Sequence, residues 1–270
     1  MPAFRWYMLS QVGNQSAQLM QMVVRGFLAY QITGSFTALG IVELANSVPR
    51  VFLALYGGVV ADRASRRVII QTGQALNTLL ALVLAALLFL ELLRFEHLLF
   101  AAMAQGVMNS FVMPARQSMI PEIVGTARLM NAFALNTFGM NVLRLGAPAL
   151  AGVLIATVGS AWVFVVMAAL FLFALVTLFA IPQTNAATRA IASGMTAGAR
   201  RGSRLGLREI AEALAYLRTQ RLLCALLAMQ CAISILSLPY QRLLPGFVDR
   251  VLSGGDPRLT AGLMGALLSF

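Results

Sequence analysis

"GGVVADRASRRVII", residues 57–70, sets Asp62, Arg63, Arg66 and Arg67 within six positions between two apolar runs. Leu53 to Gly58 stand on one side, and Val68, Ile69 and Ile70 on the other. Charges bracketed by long apolar segments mark a connector lying outside the hydrocarbon of a bilayer, where water solvates them. The composition agrees: 60% hydrophobic residues, 11% charged residues and a mean hydropathy of +0.83. A soluble domain of 270 residues does not carry that much apolar surface. The chain is expected to sit in a lipid bilayer. No charged leader, short apolar run and small-residue cleavage site open it, so the first helix is expected to act as its own insertion signal.

The formal net charge is +11, and every basic residue is arginine. A nucleic-acid partner is not expected, because the arginines fall mostly in connectors, where they set membrane orientation. Without lysine there is no P-loop, whose lysine holds the nucleotide phosphates. Cys224 and Cys231 are seven positions apart on one apolar stretch, roughly 10 Å along a helix at about 1.5 Å per residue, too far for an intrachain disulfide. His97 has no neighbouring cysteine or second histidine with metal-ligand spacing, and it reads as a solvated loop residue. No metal and no cofactor is expected.

Spanning helices need about 20 mainly apolar residues. Seven stretches qualify: 8–33, 37–61, 67–91, 97–118, 129–157, 160–181 and 221–243, with an eighth beginning near Leu259. With the amino terminus in the cytoplasm, that side receives arginines 5, 63, 66, 67, 116, 128, 189, 200, 201, 204, 208, 218 and 221. The opposite side receives 94, 242, 250 and 258. Thirteen against four follows the positive-inside rule. The expected organisation is a six-helix transmembrane bundle over 1–181 and a basic cytoplasmic linker over 182–206. An amphipathic surface helix over 207–219 and the first one and a half helices of a second bundle over 220–270 follow.

Polar residues recur at three- and four-residue steps on four of these helices, which puts each set on one face. The first carries Gln11, Asn14, Gln18, Gln21 and Arg25, and the second Glu43, Asn46 and Arg50. The fourth carries Gln105, Asn109 and Arg116, and the fifth Thr137, Asn141 and Arg144. Interhelical hydrogen bonds account for lone amides in membrane bundles, at about 0.6–2 kcal/mol each. Four aligned stripes that include ionisable groups suggest an aqueous cavity between helices one, two, four and five, with three and six outside. Arg25 and Glu43 lie at similar depth and could form an ion pair. Arg50 and Arg144 then await either an acid-bearing solute or acidic residues on other helices, and both readings stay open.

The opening stretch also has an order, Gly58-x-x-x-Asp62-Arg63-x-x-Arg66-Arg67. That pattern resembles the loop signature between the second and third helices of the major facilitator superfamily. The resemblance implies that Gly58 packs closely and that Asp62 latches a helix of the other half. Arg63, Arg66 and Arg67 would serve as the charge partners of this gating loop. "MQMVVRGFLAYQITGS" (20–35), "PARQSMIPEIVG" (114–125) and "LPYQRLLPGFV" (238–248) look like the enterobactin-exporter and macrolide-efflux branch. "GAPALAG" (146–152) retains only Pro148 and Gly152 of the antiporter signature on the fifth helix. The resemblance implies an all-α transmembrane fold: a complete six-helix amino-terminal half plus the start of a carboxy-terminal half, twelve helices in the whole, so the chain reads as carboxy-truncated.

The function implied is proton-driven efflux of small amphiphilic molecules of drug or siderophore type by alternating access, from a monomer in the cell (inner) membrane. Its partners would be the lipid bilayer, a small-molecule substrate and the proton. Glu43, the acid on the stripes, is the candidate proton carrier. The alternatives are a non-transporting helical scaffold or sensor and an inactive transporter fragment. A membrane enzyme ranks below both, since no nucleophile–base pair is recognisable.

Overall fold

A computed structural model describes residues 2–63, 65–125 and 129–180, together with Cys224 and Met229; the side chains of residues 2, 3, 54–63 and 122 are excepted. The described residues form six helices: α1 Pro2–Thr33, α2 Phe36–Arg63, α3 Arg66–Phe89, α4 Phe95–Val124, α5 Leu129–Val158 and α6 Ser160–Phe179. No strand occurs among them. The linker, the surface helix and the seventh and eighth spans expected from the sequence lie outside the described residues. Cys224 is exposed.

Local chemistry explains the boundaries. Thr33 Oγ1 donates back to the Ala29 carbonyl at 2.6 Å, and Gly34 takes φ 63° just beyond, which stops α1. Ser35 Oγ then accepts the Thr37 N–H at 3.2 Å and starts α2. Between α5 and α6 a single residue, Gly159 at φ 94°, makes the reversal. His97 is not a solvated loop residue: its Nδ1 accepts the Arg94 N–H at 3.1 Å and closes a capping box on α4.

Two helices outrun the apolar pattern. α1 begins at Pro2 rather than near residue 8, and α4 continues to Val124 through Pro114 and Pro121 rather than ending at 118. The extensions meet each other. Buried Tyr7 donates its hydroxyl to the Arg116 carbonyl at 3.1 Å, and a second apolar cluster of Tyr7, Ile70, Ala115, Met119, Ile120 and Leu178 closes that end.

Five helices, α2 to α6, contain stretches long and apolar enough to cross a membrane, but α1 does not. Expectation and structure differ here for a physical reason. α1 holds Ser10, Asn14 and Gln21 buried among Ala17, Met20, Val23 and Val24, so neighbouring helices rather than lipid surround its polar side chains. Its main partners are α5 and α6. The principal core joins Val24 and Phe27 of α1, Leu84 of α3, Leu98 of α4 and Ala151 of α5 to Phe164, Met167 and Phe171 of α6.

Helices α3 and α6 are not simply peripheral. α6 exposes Trp162, Leu172, Val176 and Phe179, yet buries a full face against α1 and α3. α3 buries Gln74 and Asn77 in the interior. Close packing relies on small residues. A Cβ on Gly106 of α4 would run into the Asn46 carbonyl oxygen of α2, with the Asn46 C and Cα at 3.0 and 3.2 Å. Membrane helices approach this closely only where one side chain is absent.

Candidate functional site

α1 and α4 run antiparallel, and their polar faces meet. Arg116 Nη1 donates to Gln11 Oε1 at 2.8 Å, and Gln18 Nε2 to Asn109 Oδ1 at 3.5 Å. Gln105 Nε2 donates to Gln21 Oε1 and, at 3.3 Å, to Asn77 Oδ1 of α3. Its Oε1 accepts Arg25 Nη1 at 3.4 Å. The same guanidinium uses Nη2 to pair with Glu43 Oε2 of α2 at 3.1 Å. Gln74 Nε2 of α3 donates to Asn14 Oδ1 at 2.6 Å, and Asn46 Nδ2 of α2 donates to the Ala102 carbonyl of α4 at 3.0 Å.

Four helices are therefore cross-linked through hydrogen-bonding side chains, with Gln105 as the hub. Asn14, Gln21, Asn46, Gln74, Asn77 and Gln105 are all buried. Stripes expected to face water on α1, α2 and α4 largely satisfy one another, the outcome that interhelical bonding describes. Arg116, counted with the connector arginines, lies inside α4 and is buried. Gln74 and Asn77 were missed by sequence reasoning, although Gln71, Gln74 and Asn77 repeat at three-residue steps in the first half of α3.

The ion pair sits where this network reaches the surface. The Arg25 side chain is 11% exposed and that of Glu43 25%, so the carboxylate is the more accessible partner and the cation the more enclosed. Arg50 on α2 and Asn141 and Arg144 on α5 are placed differently: all three are exposed, and none makes a hydrogen bond or ion pair with another described residue. α5 thus carries a polar stripe that the other described helices do not cover.

At the end of the bundle where α3 starts, Arg66 Nη1 donates to the Ser118 carbonyl of α4 at 3.0 Å. Arg67 Nη2 donates to the Phe179 carbonyl at the end of α6, also at 3.0 Å, with its guanidinium 5.9 Å from the Phe179 ring centre. A carbonyl at a helix carboxy terminus carries partial negative charge, which favours the Arg67 contact, and the two bonds tie the start of α3 to α4 and α6. The side chains of Gly58, Asp62 and Arg63 lie outside the described residues. Among the described residues, no three His, Cys, Asp or Glu side chains gather where a metal ion could be held.

Known proteins place this geometry in context. A model of the transmembrane secretion effector family matches residues 1–268. The chain is 24% identical over 119 residues to a staphyloferrin A transporter of Staphylococcus aureus, which is 44% of this chain and 30% of that protein. It is 26% identical over 165 residues to YfiS of Bacillus subtilis, an uncharacterised MFS-type transporter, which is 60% of this chain and 38% of that protein. The chain thus aligns with well under half the length of either relative.

Proposed function

Because the chain belongs to the transmembrane secretion effector family, within the major facilitator superfamily, we propose that it is part of a secondary transporter rather than an enzyme. The six described helices act as one rocking half of an alternating-access carrier. The reading extends to proton-driven efflux of small amphiphilic molecules, of the enterobactin-exporter and macrolide-efflux kind, by a monomer in the cell (inner) membrane with its amino terminus in the cytoplasm. The relative that transports staphyloferrin A supports a small-molecule solute.

The observation that carries this reading is the Arg25–Glu43 pair, largely enclosed, with the carboxylate its more exposed member, and joined through Gln105 to α1, α3 and α4. A proton on that carboxylate removes the charge that faces Arg25 and weakens the ion pair, while Arg25 still donates to Gln105. Proton uptake is thereby linked to the packing of helices that must move. Arg50 and Arg144, exposed and unpaired among the described residues, are placed to meet the acidic group of a solute.

Reconstitution into proteoliposomes tests the reading with a panel of carboxylate-bearing and cationic amphiphilic dyes under an imposed pH gradient. Wild-type protein should concentrate at least one dye only when the gradient is present. Glu43→Gln should lower gradient-driven accumulation about a hundredfold, the low end of the range for removing a group that transfers a proton, while dye exchange without a gradient persists. Accumulation by Glu43→Gln equal to wild type would remove Glu43 as the carrier.

A further inference from the structure

Arg116 is 3% exposed. Its Nη1 is taken by Gln11 Oε1 at 2.8 Å, whereas Nε and Nη2 have no acceptor among the described residues. Those two N–H groups lie along one edge of the guanidinium plane, the edge that receives both oxygens of a carboxylate in parallel bonds. A cation enclosed by protein without its counter-charge is the least favourable state for this side chain. Its surroundings offer little relief. Tyr7 uses its hydroxyl to donate to the Arg116 carbonyl, and Tyr7, Ala115, Met119 and Ile120 belong to the apolar cluster at this end.

We infer that the Nε–Nη2 edge of Arg116 is a carboxylate-binding site, at the end of the bundle where α1 begins and α4 finishes. The inference does not rest on the Glu43 reading and stands whether or not the chain moves protons. The carboxylate comes either from a dissolved acid or from an acidic side chain of this chain. Glu43 is engaged by Arg25, while Glu91 and Glu96 lie at the opposite ends of α3 and α4 from Arg116. Asp62, Glu122, Glu209, Glu212, Asp249 and Asp256 are the remaining acids.

Thermal melting of the purified 270-residue chain in detergent separates the two sources. Wild type is compared in sodium formate and sodium chloride at equal ionic strength, beside Arg116→Gln and Arg116→Lys. Each of the six acids is also changed to its amide, alone and with Arg116→Gln. A dissolved-acid site predicts that formate raises the melting temperature of wild type alone, by about 3 °C when well above its dissociation constant. An internal partner predicts no formate effect and one acid whose loss matches that of Arg116→Gln without adding to it. Arg116→Lys keeps the charge but not the fork, and supplies the same comparison if the glutamine variant does not fold. Formate indistinguishable from chloride, together with additive losses at all six acids, would overturn the site.

Discussion

Gly106→Ala should leave little folded protein, although it adds a single methyl group. The methyl would overlap the Asn46 carbonyl oxygen, and the nearest other atoms, Asn46 C and Cα, are also main chain. A flexible side chain could rotate away, but a helix backbone can only be displaced as a unit. Moving α2 from α4 would also stretch the Asn46 Nδ2 bond to the Ala102 carbonyl, 3.0 Å long and one turn away. Overpacking ordinarily costs about 1–3 kcal/mol, and a clash with backbone in the most extensive helix pair of the bundle belongs at or above the top of that range. The expected readout is loss of the monodisperse peak on size-exclusion chromatography. Gly146→Ala is the control, because a Cβ there meets nothing within 4 Å. Equal yields of the two variants would refute the close α2–α4 contact.

Gln105→Leu should be the most damaging of the polar-to-apolar changes. One side chain accepts from Arg25 and donates to Gln21 and Asn77, so its removal strands groups on two other helices besides weakening the hold on Arg25. Interhelical contacts in membranes are worth about 0.6–2 kcal/mol each, and a buried polar group left unpaired costs about 1–3 kcal/mol. Three contacts together place the expected loss at roughly 2–6 kcal/mol. Gln18→Leu, by contrast, removes a single 3.5 Å contact with Asn109 and should cost under about 1 kcal/mol. Comparison of the two melting temperatures in the same detergent decides the matter; similar losses would mean that Gln105 is no hub.

Much of the helix layout could be read from residue order, because apolar length and turn chemistry are local properties. The turns at Gly34 and Gly159 and the starts of α2 and α5 fall within a residue of the expected positions. The start of α1 and the end of α4 did not, since these extensions are held by packing between the two helices, with Tyr7 bonded to the Arg116 carbonyl and clustered with Met119, Ile120 and Val124. The Arg25–Glu43 pair was legible, as both residues sit at similar depth on adjoining helices. The wetness of the stripes was not. A polar face has the same periodicity whether it meets water or another polar face, and only the register of α1 against α4 shows that Gln21 meets Gln105 rather than solvent. Gln74 and Asn77 escaped notice because the long apolar second half of α3 dominates its character.

Central to all of this is a division of labour: apart from Arg50, the polar stripes of α1 to α4 largely bond to one another, while α5 leaves Asn141 and Arg144 exposed. Thiol labelling in membranes tests it most directly. In a background lacking Cys224 and Cys231, cysteine is introduced by Asn141→Cys, Asn14→Cys or Asn77→Cys and exposed to a charged, water-soluble reagent. The position on α5 should react readily, and the positions on α1 and α3 should stay protected until the protein is denatured. An unreactive cysteine at 141, or equal reaction at 77, would contradict the division.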